Sequence, residues 1–187
     1  MKRTARTLIT ILSLALSSGT LTAADKAEVD KHYNNYHAAG KAIVEMTISK
    51  KVDAAEVEKK VQTLLDDSVW LATEYGKAFP KGEKLLKVVT ENVGTMKKLS
   101  FKELEHEWHD LNHFTKSGAP DLGLNIKDED NEHFTDPIHA IVHPLLVLKA
   151  AQAFATSKSD EELKTIKEEM EEGLEQVEKC RNALNKK

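Results

Sequence analysis

Apolar positions along this chain recur in steps of three and four over most of its length, the period of one face of an α-helix. Val29, Tyr36, Ile43 and Val44 predict a first helix over about 27–49. Asp53 stands where an N-cap is needed, and Val57, Val61, Leu64, Leu65, Trp70, Leu71 and Tyr75 predict a second helix ending before Pro80. A third begins near Gly82 with Leu85, Val89, Val93 and Met96. Ser100-Phe101-Lys102-Glu103 has the form of a capping box, and either opens a new helix or lies inside one long helix reaching Ser117-Gly118.

Residues 117–134 are the one long interruption. They hold Gly118, Pro120, Gly123 and an acidic run from Asp128 to Glu132. The run begins like a calcium loop but lacks the glycine and the closing glutamate at the required positions, so it is expected to be a solvated acidic loop. Asp136-Pro137 is expected to cap and open the next helix, which reaches about Thr156 across Pro144. Ser159 starts the last one, whose seam is Leu163, Ile166, Met170, Gly173, Val177, Cys180 and Leu184. No stretch alternates with period two. The expected fold class is therefore all-α: an antiparallel helical bundle of five or six helices, forming one domain over 25–187.

The N-terminus departs from this pattern. Lys2, Arg3 and Arg6 precede an apolar stretch from Leu8 to Leu16, and small residues lead to Thr22-Ala23-Ala24. A stretch of nine residues is too short to span a bilayer, which needs about 20. Positive, apolar and small-residue regions in that order predict a secretory signal peptide over 1–24, with the product periplasmic or secreted and free of the membrane after cleavage. The leader holds three basic residues and no acid, so the remainder is more acidic than the whole chain's net charge of −4. An acidic chain without a basic stripe argues against nucleic acid as a partner. Cys180 is the only cysteine, which rules out an internal disulfide, and its place on the apolar seam predicts a buried, inert thiol.

Eight histidines change the picture further. His109 and His113 are four apart, as are His139 and His143, and an i,i+4 pair on a helix projects two imidazoles from one face. Two such pairs on neighbouring helices would supply four nitrogen ligands, which suits Zn²⁺, Cu²⁺ or Ni²⁺. The later pair lies in a helix apolar on nearly every side, with Ile138, Ile141, Val142, Leu145, Leu146, Val147, Leu148 and Phe154. Such a helix is buried, and its polar side chains need partners. Asp136 is a further candidate ligand or a hydrogen-bond acceptor for His139. In the earlier segment His106, His109 and His113 share one helical face while Phe101, Leu104, Trp108 and Leu111 lie opposite. If Trp108 faces the core, those histidines face outward, and only a chain folding back over them brings the two pairs together. His106 is a further candidate ligand in that case.

The expected function is binding of a divalent transition metal, for handling, sensing or structure, through His109, His113, His139 and His143. The alternatives are a non-covalent haem b electron carrier and a cofactor-free helical adaptor or inhibitor. Attached c-type haem is excluded because Cys-x-x-Cys-His is absent. His109-Asp110-Leu111-Asn112-His113 resembles the zincin helix motif with Asp for Glu, but no third-ligand signature follows. No nucleophile–base pair, phosphate loop or carboxylate dyad is legible, so an enzyme is the weakest class.

Overall fold

A computed structural model describes residues 23–119 and 121–187. The leader expected over 1–24 lies outside the described residues except for its last two positions. The fold is all-α, and no strand occurs among the described residues. Four long helices dominate: α1 (Ala23–Ile48), α2 (Ala54–Ala78), α6 (Thr135–Ser157) and α7 (Asp160–Leu184). Three shorter ones, α3 (Glu83–Glu91), α4 (Val93–Met96) and α5 (Phe101–Leu104), lie between α2 and α6 in the chain.

α1 and α6 each lie against both α2 and α7, and α2 also touches α7. The side-chain pairs fix their directions. Arg181 bonds Asp30 near one end of α1, Gly40 meets Leu174 and Met170 in the middle, and Lys50 bonds Asp160 beyond the other end. That order makes α1 and α7 antiparallel. On α6, Asp136 and His139 share a groove with Lys179, while His143 bonds Glu169, so α6 and α7 are antiparallel too. Tyr75 packs on Phe134 whereas Leu65 lies beside Leu148, which gives α2 and α6 the same relation.

Local chemistry explains the boundaries. The Asp53 carboxylate accepts from the Glu56 N–H and starts α2, and Phe79-Pro80 stops it. Ser100 and Glu103 form both bonds of a capping box, so α5 is a new helix and not the interior of a longer one. Ser159 caps α7 by accepting from the Glu161 N–H. Cys180 is 1 % exposed and the rest of its seam is equally buried. The same burial pushes its thiol well above the ordinary range.

The helix read as apolar all round is α6, the most buried element of the protein. It is long and apolar enough to cross a membrane, but 72 % of its apolar window is buried inside the protein, as befits a core helix. One of its polar exceptions is satisfied by backbone: the Lys149 ammonium donates to the Lys97 carbonyl at the end of α4. Pro144 has no N–H to give to the Ala140 carbonyl, its usual partner four residues back. The Tyr36 hydroxyl, reaching from α1, donates to that carbonyl at 3.0 Å.

Two expectations need correction. Asp136 is not the N-cap of α6. The helix begins two residues earlier than expected, at Thr135, because a 3₁₀ segment (Glu129–Phe134) runs straight into it and Phe134 takes the cap position without a side-chain bond. The long loop is also less solvated than its composition implies. Leu122 and Ile126 are buried, and Asn131 donates to the Asn125 carbonyl, while Asp128, Glu129, Asp130 and Glu132 remain exposed as expected.

Candidate metal centre

The site is assembled where the segment after α5 folds over α6. α5 does not continue as an α-helix. Residues Glu105–His109 form a π turn, closed by the Asp110 N–H bonding the Glu105 carbonyl at 2.9 Å. The extra residue in such a turn shifts the faces of the helix. Trp108 is thereby buried at 2 % exposure while His109, its neighbour, reaches α6. This resolves the conflict in the sequence between an inward Trp108 and an inward histidine.

Leu111 then takes the left-handed conformation, at φ 62°, and the chain reverses into a short 3₁₀ turn (Asn112–Phe114). His109 and His113 therefore do not share a helix face. His113 stacks on Trp108 with ring centroids 4.1 Å apart, and its Nδ1 lies 3.9 Å from the Glu107 carboxylate. Desolvation holds the His113 pKa below its ordinary value, and Lys116 adds to the effect. His106 is turned away as well: its ring nitrogen and its carbonyl both face the Asn112 side-chain amide. Of the four histidines expected to converge, the structure brings together three.

These three are His109, His139 and His143, each offering one ring nitrogen within 4.8 Å of the others'. His109 and His139 lie parallel with centroids 4.6 Å apart, and His143 stands edge-on to both. The i,i+4 spacing on α6 does for His139 and His143 what the sequence pattern required.

Hydrogen bonds assign the tautomers. His139 Nε2 lies 3.0 Å from the His109 backbone carbonyl, which can only accept. Nε2 therefore carries the proton and Nδ1 has a free lone pair when the ring is neutral. Burial, reinforced by the neighbouring His109, lowers the His139 pKa from 6.5 to about 4, so the ring is neutral at pH 7. His143 Nδ1 lies 2.8 Å from the Glu169 carboxylate on α7. That bond places a proton on Nδ1 and leaves Nε2 as the outward nitrogen. His143 is 1 % exposed, and its Nε2 has no hydrogen-bond partner.

Asp136 lies beside this group rather than in it. It shares with His139, Glu132, His133, Gln176 and Lys179 an open groove of about 530 Å³. Burial raises its carboxyl from 3.8 to about 6, against the opposing pull of Lys179.

The sequence reading missed Glu169, the acceptor that orients His143. Glu169 sits in an acidic helix whose other carboxylates are solvated, and nothing in its spacing points to α6. It also missed the His32–Asp67 pair, bonded at 2.7 Å with His32 stacked on Trp70. No protein-family model, curated protein or solved structure matches this chain.

Proposed function

We propose that this is an exported four-helix bundle that holds a divalent transition metal through His109, His139 and His143, for handling, sensing or structural use. Export rests on the leader pattern of residues 1–24, and the bundle on the antiparallel neighbours among α1, α2, α6 and α7. The observation that carries the metal reading is His143 Nε2. A buried polar nitrogen without a partner costs about 1–3 kcal/mol, and two other imidazoles converge on this one. Its opposite nitrogen donates to a carboxylate, the arrangement that fixes a metal-binding imidazole and raises its basicity. The donor set suits Zn²⁺, Cu²⁺ or Ni²⁺ and not the oxygen-seeking Mg²⁺ or Ca²⁺.

The test is isothermal titration of chelator-stripped protein with each of the three ions, beside His143→Ala. Binding at micromolar or tighter dissociation constants, lost in the variant, is the expected result. A millimolar constant or no heat for all three ions refutes the reading.

A further inference from the structure

Three imidazoles leave a four-coordinate ion one position short. In catalytic centres that position is kept for water or substrate, and in closed centres the protein fills it. Which of the two this site is decides what class of protein carries it.

Glu172 lies on α7 three residues after Glu169, on the same helix face. Glu169 holds Nδ1 of His143. The Glu172 Oε2 lies 3.8 Å from Nε2 of that ring, the buried nitrogen with no hydrogen-bond partner. This is too long for a hydrogen bond. It falls within the spacing of two ligands on one ion, since metal–nitrogen and metal–oxygen bonds of about 2.0–2.2 Å place neighbouring ligand atoms about 3–4 Å apart. The ligand atoms that all lie within 4.8 Å of one another are those of the three histidines alone, so Glu172 joins them by a turn of its side chain. The Glu172 side chain is 61 % exposed and has room for that turn, whereas the ring it faces is 1 % exposed.

We infer, resting on the metal reading above, that Glu172 is the fourth ligand. The centre is then a closed three-histidine, one-carboxylate site with no position for a substrate. Its metal is carried or structural. The two glutamates divide the work on His143: Glu169 orients the imidazole and Glu172 completes the coordination. A plain ion pair between Glu172 and a protonated His143 is the competing account. It leaves metal affinity independent of Glu172.

The experiment uses the full-length protein with its leader removed, loaded with Zn²⁺ for affinity and with Co²⁺ as a spectroscopic stand-in. Wild type is compared with Glu172→Gln and Glu172→Ala. Far-UV circular dichroism checks that these surface variants fold. The expected result is a loss of Zn²⁺ affinity of about tenfold or more in both variants, by analogy with the 10–100-fold effects of removing even indirect metal supports. Wild-type Co²⁺ protein should show the intense visible bands of a four-coordinate ion, unmoved by added azide. Glu172→Ala should acquire an azide-sensitive spectrum, because the vacated position is open. Unchanged affinity in both variants overturns the inference while leaving the three-histidine site standing, and so does a wild-type spectrum that azide shifts as it shifts the variant's. Failure of the wild type to take up either ion overturns both readings together.

Discussion

Removing the Tyr36 hydroxyl should expose a debt left by Pro144. A proline inside a helix deprives the carbonyl four residues back of its N–H donor. Here that carbonyl belongs to Ala140, which is 2 % exposed, so water does not replace the donor. Tyr36 is fully buried and supplies the missing bond at 3.0 Å. Tyr36→Phe keeps the ring and its packing and leaves the carbonyl without that donor. An unsatisfied buried group costs about 1–3 kcal/mol, so a loss of about 2 kcal/mol is expected. In a domain of this size that is a fall in Tm of about 4–8 °C. Pro144→Ala restores an N–H at position 144 and makes the hydroxyl redundant. The two changes should therefore be coupled by about 1–2 kcal/mol, with Tyr36→Phe costing much less in the Pro144→Ala background. Urea unfolding of the wild type, both single variants and the double variant, followed by circular dichroism, measures the cycle. Equal costs of Tyr36→Phe in the two backgrounds, within about 0.5 kcal/mol, would falsify the account.

Three further outcomes are expected. The first concerns pH in the metal-free protein. Asp136, raised to about 6, contributes stability at low pH that is lost as pH rises through 6, while His139, lowered to about 4, removes stability as pH falls from 6.5 to 4. The two oppose each other between pH 4 and 6. Asp136→Asn deletes one of them, so its stability relative to wild type should rise by about 1–2 kcal/mol between pH 4 and 7, after discounting for the half-exposed carboxyl; a difference that does not change with pH refutes this. The second contrasts two glycines. A Cβ on Gly82 would lie 2.1 Å from the buried Phe134 ring, so Gly82→Ala should cost about 1–3 kcal/mol or more by denaturant unfolding. Gly94, in α4, has nothing within 4 Å of its would-be Cβ, and Gly94→Ala should gain up to about 1 kcal/mol. The third separates the histidines. His113→Ala should leave metal affinity unchanged and alter Trp108 fluorescence, since the ring stacks on the indole. His139→Ala should weaken metal binding, and equal losses of affinity from the two variants would return His113 to the site.

Much of this protein was legible one residue at a time. Helix periodicity, the Asp53, Ser100 and Ser159 caps and the stop at Pro80 are local properties, set by backbone groups within a few residues of the side chains that satisfy them. The burial of α6 and of Cys180 followed from the same periodicity, because a face or cylinder of apolar side chains has to leave water. The pairing of His139 with His143 was readable for a similar reason: four residues of α-helix place two rings on one face.

The failures began where the backbone left the α-helix. The π turn at Glu105–His109 and the left-handed Leu111 together sent His109 to α6 and His113 to Trp108. A 3.6-residue period cannot foresee a one-residue change of phase, and the apolar residues around it read equally well without one. Contacts between distant elements were the other blind spot. Glu169 and Glu172 look like their solvated neighbours in a charged helix, and Tyr36 looks like an ordinary core aromatic. Only the packing of α7 antiparallel to α6, and of α1 across the core from α6, gives the glutamates a buried imidazole to face and gives the tyrosine a carbonyl to satisfy. Side-chain type and spacing decide which groups need a partner. Which partner they receive depends on contacts 26 to 104 residues away in sequence, and these exist only once the helices have packed.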